Sequence, residues 1–282
     1  MSLFDDFRSY LNSAGRTSTA TTYGFLWRPF AKWMSEHGRD AEKFTVADAQ
    51  EYLASRSDVS DTTKNAILAT FKRFARWCQI KTTDAEERNR LEQIKEMIRL
   101  KPMKLIKRKA LTIPELKQLI DVARDMDASR IYLLAYLGLR KGELPTLHDI
   151  DFKEGRLIVV GEKSRSERVL FFNAECGRVL RLAIEKGWLK NKLGSLNEQL
   201  KRYDTLLTGI KLTPHRLRHT FCTNMRGRIS EPLLRTLMGW EEATMADTYT
   251  SAFEPEIKEA MTTKHYLADF FVPIRIKEMG AM

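Results

Sequence analysis

Thr213-Pro-His-Arg-Leu-Arg-His219 sets two imidazoles and a guanidinium close together. On a helix, His215, Arg218 and His219 stand at i, i+3 and i+4 and share one face. Thr213 is a good cap residue and Pro214 suits a first helical position, so a helix should start there. His215 then lies in the first turn, where free N–H groups and the helix dipole favour an anion. A second cation, Arg140, follows Gly138 and precedes Glu143 by three residues. A guanidinium fork grips two phosphate oxygens at once and cannot shed its proton. A third group is Lys163, with Arg165 and Arg168 in the same stretch. A lysine can protonate a leaving oxygen when burial and nearby cations lower its pKa, whereas an arginine is a poor donor. Trp240 offers an indole N–H that can hold an anion without moving a proton, and Tyr249 lies nine residues beyond it. Each group has an ordinary reading on its own. R-x-x-E is common as a surface ion pair, a lone helical histidine is usually a satisfied core or surface residue, and a tryptophan usually packs in a core.

These groups need elements to hold them. Thr112 and Glu115 have capping-box spacing, which predicts a helix to about Ala123. Another helix should run through Ile131 to Leu137 and break at Gly138, with Arg140 just past the break. Pro145 should keep whatever follows short or bent. His148–Phe152, Arg156–Val160 and Glu167–Phe172 read as three strands of a small antiparallel sheet. A turn at Lys153-Glu-Gly155 joins the first pair, and a polar loop at residues 162–166 joins the second. Gly227 and Pro232 interrupt a compact interval between His219 and Trp240.

The first 80 residues read as short helices. Between Thr22 and Met34, the residues Tyr23, Leu26, Phe30, Trp33 and Met34 recur at helical spacing. Thr45 can cap Val46 to Ala54, and Asp61 can cap a helix carrying the stripe Ile67, Phe71, Phe74 and Cys78. These aromatic stripes are most simply core. Arg28, Lys32, Lys64, Lys72, Arg73 and Arg76 lie on the other faces, as a solvated surface or as phosphate contacts. A charged helical stretch starts at Asp84. Residues 99–109 then hold six basic side chains, Pro102 and no acid, including Lys101, Lys104, Lys107, Arg108 and Lys109. This is read as a basic linker that would follow phosphates, so the expected division is a helical domain over 1–98, a linker over 99–109 and a second domain over 110–282.

Four ordered segments of the second domain resemble the catalytic domain of the tyrosine site-specific recombinases. They are Leu137-Gly-Leu-Arg-Lys-Gly-Glu143, Val160-Gly-Glu-Lys163, His215-Arg-Leu-Arg-His219, and Leu237-Met-Gly-Trp240 with Tyr249. Residues 1–80 resemble, more weakly, the helical core-binding domain of that family. The resemblance implies a two-domain fold, mainly α with a small antiparallel sheet. It implies that Tyr249 attacks a DNA phosphodiester and forms a 3′-phosphotyrosyl bond. Arg140 and Arg218 would clamp the phosphate, Lys163 would protonate the 5′ oxygen, His215 would assist proton movement, and Trp240 would hold a phosphate oxygen. Glu143 would support the site and His219 would buttress Glu143. No cofactor and no metal is expected. The partners implied are double-stranded DNA, which Arg165 and Arg168 would also contact, and further copies of the chain, as a tetramer on two duplexes. The apolar tail positions Ile257, Ala260, Met261, Tyr266, Leu267, Phe270 and Phe271 would dock on a neighbouring protomer or on their own domain. Alternatives are a type IB-like topoisomerase, which shares the chemistry, and an accessory DNA-binding protein without activity.

Bulk properties agree with that class. The chain has 282 residues, 48 Lys plus Arg against 37 Asp plus Glu, and a formal net charge of +11, which favours a polyanionic partner. No run approaches the roughly 18 apolar residues of a membrane span, and the start lacks the pattern of a secretory signal. Three scattered cysteines, Cys78, Cys176 and Cys222, argue against a disulfide framework or a zinc site. A cytoplasmic, nucleoid-associated protein of a prokaryote or virus is expected.

Overall fold

The computed structural model describes residues 2–97, 109–161, 167–190, 196–207, 211–240 and 254–274. The chain divides into two compact units, Met1–Ile106 and Lys107–Met282. It is mostly helical, with one three-stranded sheet among the described residues.

The first unit contains α1 (Leu3–Ser13), α2 (Thr17–Glu36), α3 (Val46–Ser55), α4 (Asp61–Lys81) and α5 (Ala85–Met97). Two of these are longer than the short helices expected. α2 begins at Thr17 rather than Thr22, because its first turns are threonine-rich and carry no apolar stripe to reveal them. It also runs through Pro29, which stands on its exposed side. The cap of α4 is Ser60, whose side chain accepts from Thr63 N–H; Asp61, expected as the cap, is the first helical residue. Thr45 and Asp48 form a full capping box at α3. The aromatic stripes are core. Phe4 stacks on Trp27 at 4.2 Å, and Phe30, Phe44, Phe71 and Phe74 pack edge-on or tilted around them. Arg28, Lys32, Arg73 and Arg76 are exposed, Lys64 and Lys72 half-buried. Lys32 pairs with Glu36 at 3.7 Å.

The second unit is built around α7 (Asp125–Leu137), whose residues 127–137 are all buried. A helix buried on every side must be surrounded, and α6 (Ile113–Val122), α8 (Ala174–Glu185) and α10 (Pro214–Met225) pack on it. The capping box of Thr112 and Glu115 starts α6 as expected. Gly138 ends α7 in the left-handed region at φ 62°, and a Cβ there would meet the Phe221 ring at 2.6 Å, so only glycine fits. A short 3₁₀ turn, Lys141–Thr146, follows and contains Pro145.

Strands β1 (Leu147–Asp151), β2 (Arg156–Val160) and β3 (Glu167–Phe171) form an antiparallel sheet in that order. Val159 faces Arg168 and Val160 faces Glu167, so β2 and β3 pair as antiparallel neighbours up to their facing ends. α9 (Leu196–Lys201) and α11 (Glu231–Met238) complete the wall, and Pro232 lies in the first turn of α11 rather than interrupting a helix. The tail contributes α12 (Glu254–Thr262). Ile257, Ala260, Met261, Tyr266 and Leu267 are buried in this unit's own core, with Phe270 packed against it, while Phe271 is exposed. Tyr266 Oη donates to Ala135 O at 2.8 Å and Tyr136 Oη to Met261 O at 2.5 Å. Residues 254–274 therefore pack on their own domain.

Candidate active site

Arg140 takes its place from the end of α7. The buried helix stops at Gly138, Leu139 turns into the core, and Arg140 caps the 3₁₀ turn that carries Glu143. Glu143 is fully buried, and its two oxygens collect three cations. Arg140 Nη1 lies 2.7 Å from Oε1, and the Arg140 backbone N–H donates to Oε2 at 2.8 Å. Arg168 donates from Nη2 to Oε2 at 2.8 Å and from Nη1 to Oε1 at 3.2 Å, a fork on a fork. Arg218 Nη1 stands 3.7 Å from Oε2. Burial by itself would raise the carboxyl pKa, but the hydrogen bonds and charge of Arg168, with those of Arg140, hold it down to about 2.

Arg218 comes from α10. Thr213 caps that helix by accepting from Arg216 N–H at 3.1 Å, and Pro214 fills its first position. Leu217 and Phe221 bury one face and carry Arg218 inward with them. Its guanidinium donates to Gly138 O at 2.6 Å and to Met238 O, so it ties together the C-terminal ends of α7 and α11. A cation suits the negative end of either helix. Burial, and then the charges of Arg140 and Arg168, lower its pKa to about 10, which still leaves it charged near neutrality. Three guanidiniums and one carboxylate thus leave a net positive centre, an arrangement that favours an anion beside it.

Trp240 follows Gly239, the left-handed residue that ends α11 at φ 58°. Its side chain is 42% exposed, so it is not a core residue here. His215 is exposed in the first turn of α10, and His219 is half-buried one turn on, its Nδ1 3.4 Å from Thr223 Oγ1. Lys163 and Arg165 lie outside the described residues, as do Tyr249, Lys101, Lys104, Lys107 and Arg108. Lys109 pairs with Glu115 at 3.6 Å.

One expectation needs correcting. Arg168 was grouped with DNA-contacting residues, but its side chain is 7% exposed and spent on Glu143. The signal for this was in the strand pattern. Alternation along β3 puts Arg168 in phase with buried Leu170 and opposite exposed Glu167. An inward arginine needs a carboxylate, and Glu143 supplies it.

Comparison with known proteins follows the same lines. The phage integrase family matches residues 109–255, more than half of the chain. The chain belongs to the phage integrase family and is a tyrosine recombinase by that membership. Tyrosine recombinase XerA of Pyrococcus horikoshii is 26% identical over 92% of each chain. Among solved structures, a lambda integrase dimer bound to a COC′ core site has a TM-score of 0.65 at 18% identity, covering 88% of this chain and 76% of that one. A lambda integrase tetramer bound to a Holliday junction has a TM-score of 0.62 at 18% identity, covering 86% and 77%. These structures establish the shared fold: helices around a small antiparallel sheet in the catalytic domain, with a helical domain before it. No helix among the described residues is long and apolar enough to cross a membrane.

Proposed function

We propose that this chain is a site-specific DNA recombinase that cuts and rejoins strands through a 3′-phosphotyrosyl bond at Tyr249. The observation that carries the reading is the positive centre of Arg140, Arg168 and Arg218 on one buried carboxylate, in a chain of this family. Arg140 and Arg218 take the non-bridging oxygens of the scissile phosphate and stabilise the charge that grows as phosphorus becomes pentavalent. Trp240 adds an indole N–H at the same oxygens. The Tyr249 hydroxyl loses its proton with help from His215 and attacks phosphorus. The bond to the 5′ oxygen breaks, and Lys163 protonates that oxygen. Attack by a 5′ hydroxyl from another strand reverses the chemistry and releases Tyr249. The ester conserves the bond energy, so no nucleotide is consumed. His219 supports the site beside Glu143.

Double-stranded DNA is the partner. Arg28, Lys32, Lys64, Lys72, Arg73 and Arg76 of the first unit bind phosphates, and the basic stretch 99–109 lies along the backbone between the domains. Strand exchange brings together four copies on two duplexes. The relatives support this reading as named recombinases and as integrases bound to DNA, one of them a tetramer on a Holliday junction.

The test offers the protein labelled duplex fragments of its own genome, each nicked near a candidate scissile phosphate. A covalent adduct should form on one sequence and map by mass spectrometry to Tyr249, and Tyr249→Phe should abolish it. An adduct that survives that substitution would sink the assignment. The leaving-group role has its own check. Lys163→Ala should slow cleavage of the captured duplex by about 10²–10⁴-fold, the usual weight of a general acid. The same variant should cleave at the wild-type rate a duplex whose scissile 5′ oxygen is replaced by sulfur, since a thiolate leaves without a proton. Rescue of Arg165→Ala instead would move the role to Arg165.

A further inference from the structure

Arg168 is the one charged residue on the inward face of β3. Buried Leu170 follows it on that face of the sheet, and Val159 stands directly opposite on β2. A charge among such neighbours is unfavourable unless it is fully engaged. Both terminal nitrogens of Arg168 are taken by Glu143, and its buried Nε has no hydrogen-bond partner among the described residues. Gly239, next to Trp240, closes over it: a Cβ at that glycine would stand 3.4 Å from Arg168 Nη1. The side chain is therefore sealed beneath the site and cannot reach a bound phosphate.

Its effect runs through the carboxylate. The oxygen that accepts Arg168 Nη1 also accepts Arg140 Nη1, and the oxygen that accepts Arg168 Nη2 also accepts the Arg140 backbone N–H. Rotation of that carboxylate would release Arg140 at two points. We propose that Arg168 is a positioning residue for DNA cleavage, locking Glu143 in the orientation that holds Arg140 at the scissile phosphate while making no contact with DNA. This rests on the recombinase reading given above. The same residue is the second of β3, five positions after Lys163 in the sequence.

The experiment compares Arg168→Met and Arg168→Lys with wild type on the duplex that wild type captures. At saturating duplex, the rate constant for adduct formation should fall about ten- to a hundredfold, the scale of a small misplacement of a catalytic group. Duplex affinity should stay within about twofold and its salt dependence should not change. A direct phosphate contact would instead weaken binding and reduce the salt slope by about one, and that result overturns the proposal. Cleavage by Arg168→Met should acquire an acid limb beyond any that wild type shows, falling as pH drops and the loosened Glu143 takes a proton. A folded variant whose pH profile parallels that of wild type overturns the positioning role. In a Glu143→Gln background, Arg168→Met should slow cleavage by less than about twofold, and a full additive loss would also overturn it. If Arg168→Met fails to fold, Arg168→Lys keeps the charge, loses the fork, and should still slow cleavage with affinity unchanged. Should wild type capture no duplex, the recombinase reading fails by itself. The contact is then read on the free protein by carbon-13 titration of Glu143: Arg168→Met or Arg168→Lys should raise its titration midpoint, and an unshifted midpoint overturns the proposal.

Discussion

Glu143→Gln should destabilise the catalytic unit by about 3–5 kcal/mol, the usual result of removing one partner from a buried ion pair. Three guanidiniums stand on this carboxylate, at 2.7, 2.8 and 3.7 Å. An amide of equal size carries no charge, and its NH₂ group would face at least one donor. What remains is three like charges in a buried site, with Arg168 and Arg218 almost inaccessible to water. A loss of that size is a large part of the 5–15 kcal/mol that holds a typical domain together. Urea unfolding at neutral pH measures it. The double variant Glu143→Gln/Arg168→Met should be more stable than Glu143→Gln alone, because it removes one of the stranded charges. Adduct formation by Glu143→Gln should also fall by about 10²–10³, as when one preorganised electrostatic element is lost. A stability loss below about 1 kcal/mol would mean that solvent, not Glu143, screens the arginines. Acid should not reproduce the defect above about pH 4.5. The depressed pKa keeps Glu143 ionised there, and its contribution fades only between its ordinary value of 4.5 and about 2.

What could be read directly from the sequence was local. The capping box of Thr112 and Glu115, the Thr213-Pro214 start and the break at Gly138 are rules of a few neighbouring residues, and each appears in the structure. Arg140, Glu143 and Arg218 were legible for the same reason, since two of them share a turn and the third stands in a helical motif. Where two neighbours could do one job, the sequence alone was ambiguous. Ser60 and Asp61 are both cap residues, and only the path of the chain into Thr63 selects Ser60. The start of α2 was hidden because Thr17 to Thr22 offer no apolar period.

The residues that sequence reading misassigned are those whose partners are distant in the chain. Glu143 and Arg168 are 25 positions apart, so nothing near Arg168 announces a carboxylate. Arginine in a basic loop suggests DNA; only the alternation of the strand turns it inward. The tail posed a similar problem. Its apolar spacing gave a face without saying whose surface would cover it. The covering residues belong to α7, more than a hundred positions earlier, through bonds such as Tyr266 to Ala135.

His265 marks that same junction and should make it acid-sensitive. Leu267 N–H donates to His265 Nδ1 at 3.0 Å, so the proton sits on Nε2, which donates to Tyr136 O at 2.9 Å. The ring stacks on Tyr136 with centroids 3.9 Å apart, near Phe221 and Tyr266, and the charge of Arg228 opposes its protonation. Burial pushes its pKa down to about 3, against 6.5 for an ordinary histidine. The unfolded chain therefore binds a proton here that the folded chain refuses. Stability is complete above about pH 6.5 and declines as pH falls toward 3. Lowering the pH from about 6.5 to 4.5 should cost about 2–3 kcal/mol, at 1.36 kcal/mol for each unit of pKa difference traversed. The lowered carboxylates, Glu143 among them, add their losses only below that window. His265→Gln can still donate to Tyr136 and accept from Leu267, but it does not titrate. It should be less stable than wild type near neutrality and lose markedly less on acidification. Parallel urea-midpoint curves for the two proteins between these pH values would remove His265 as the cause. Because Tyr136 lies in the last turn of α7, the acid-weakened contact is the one that braces the helix end from which Arg140 projects.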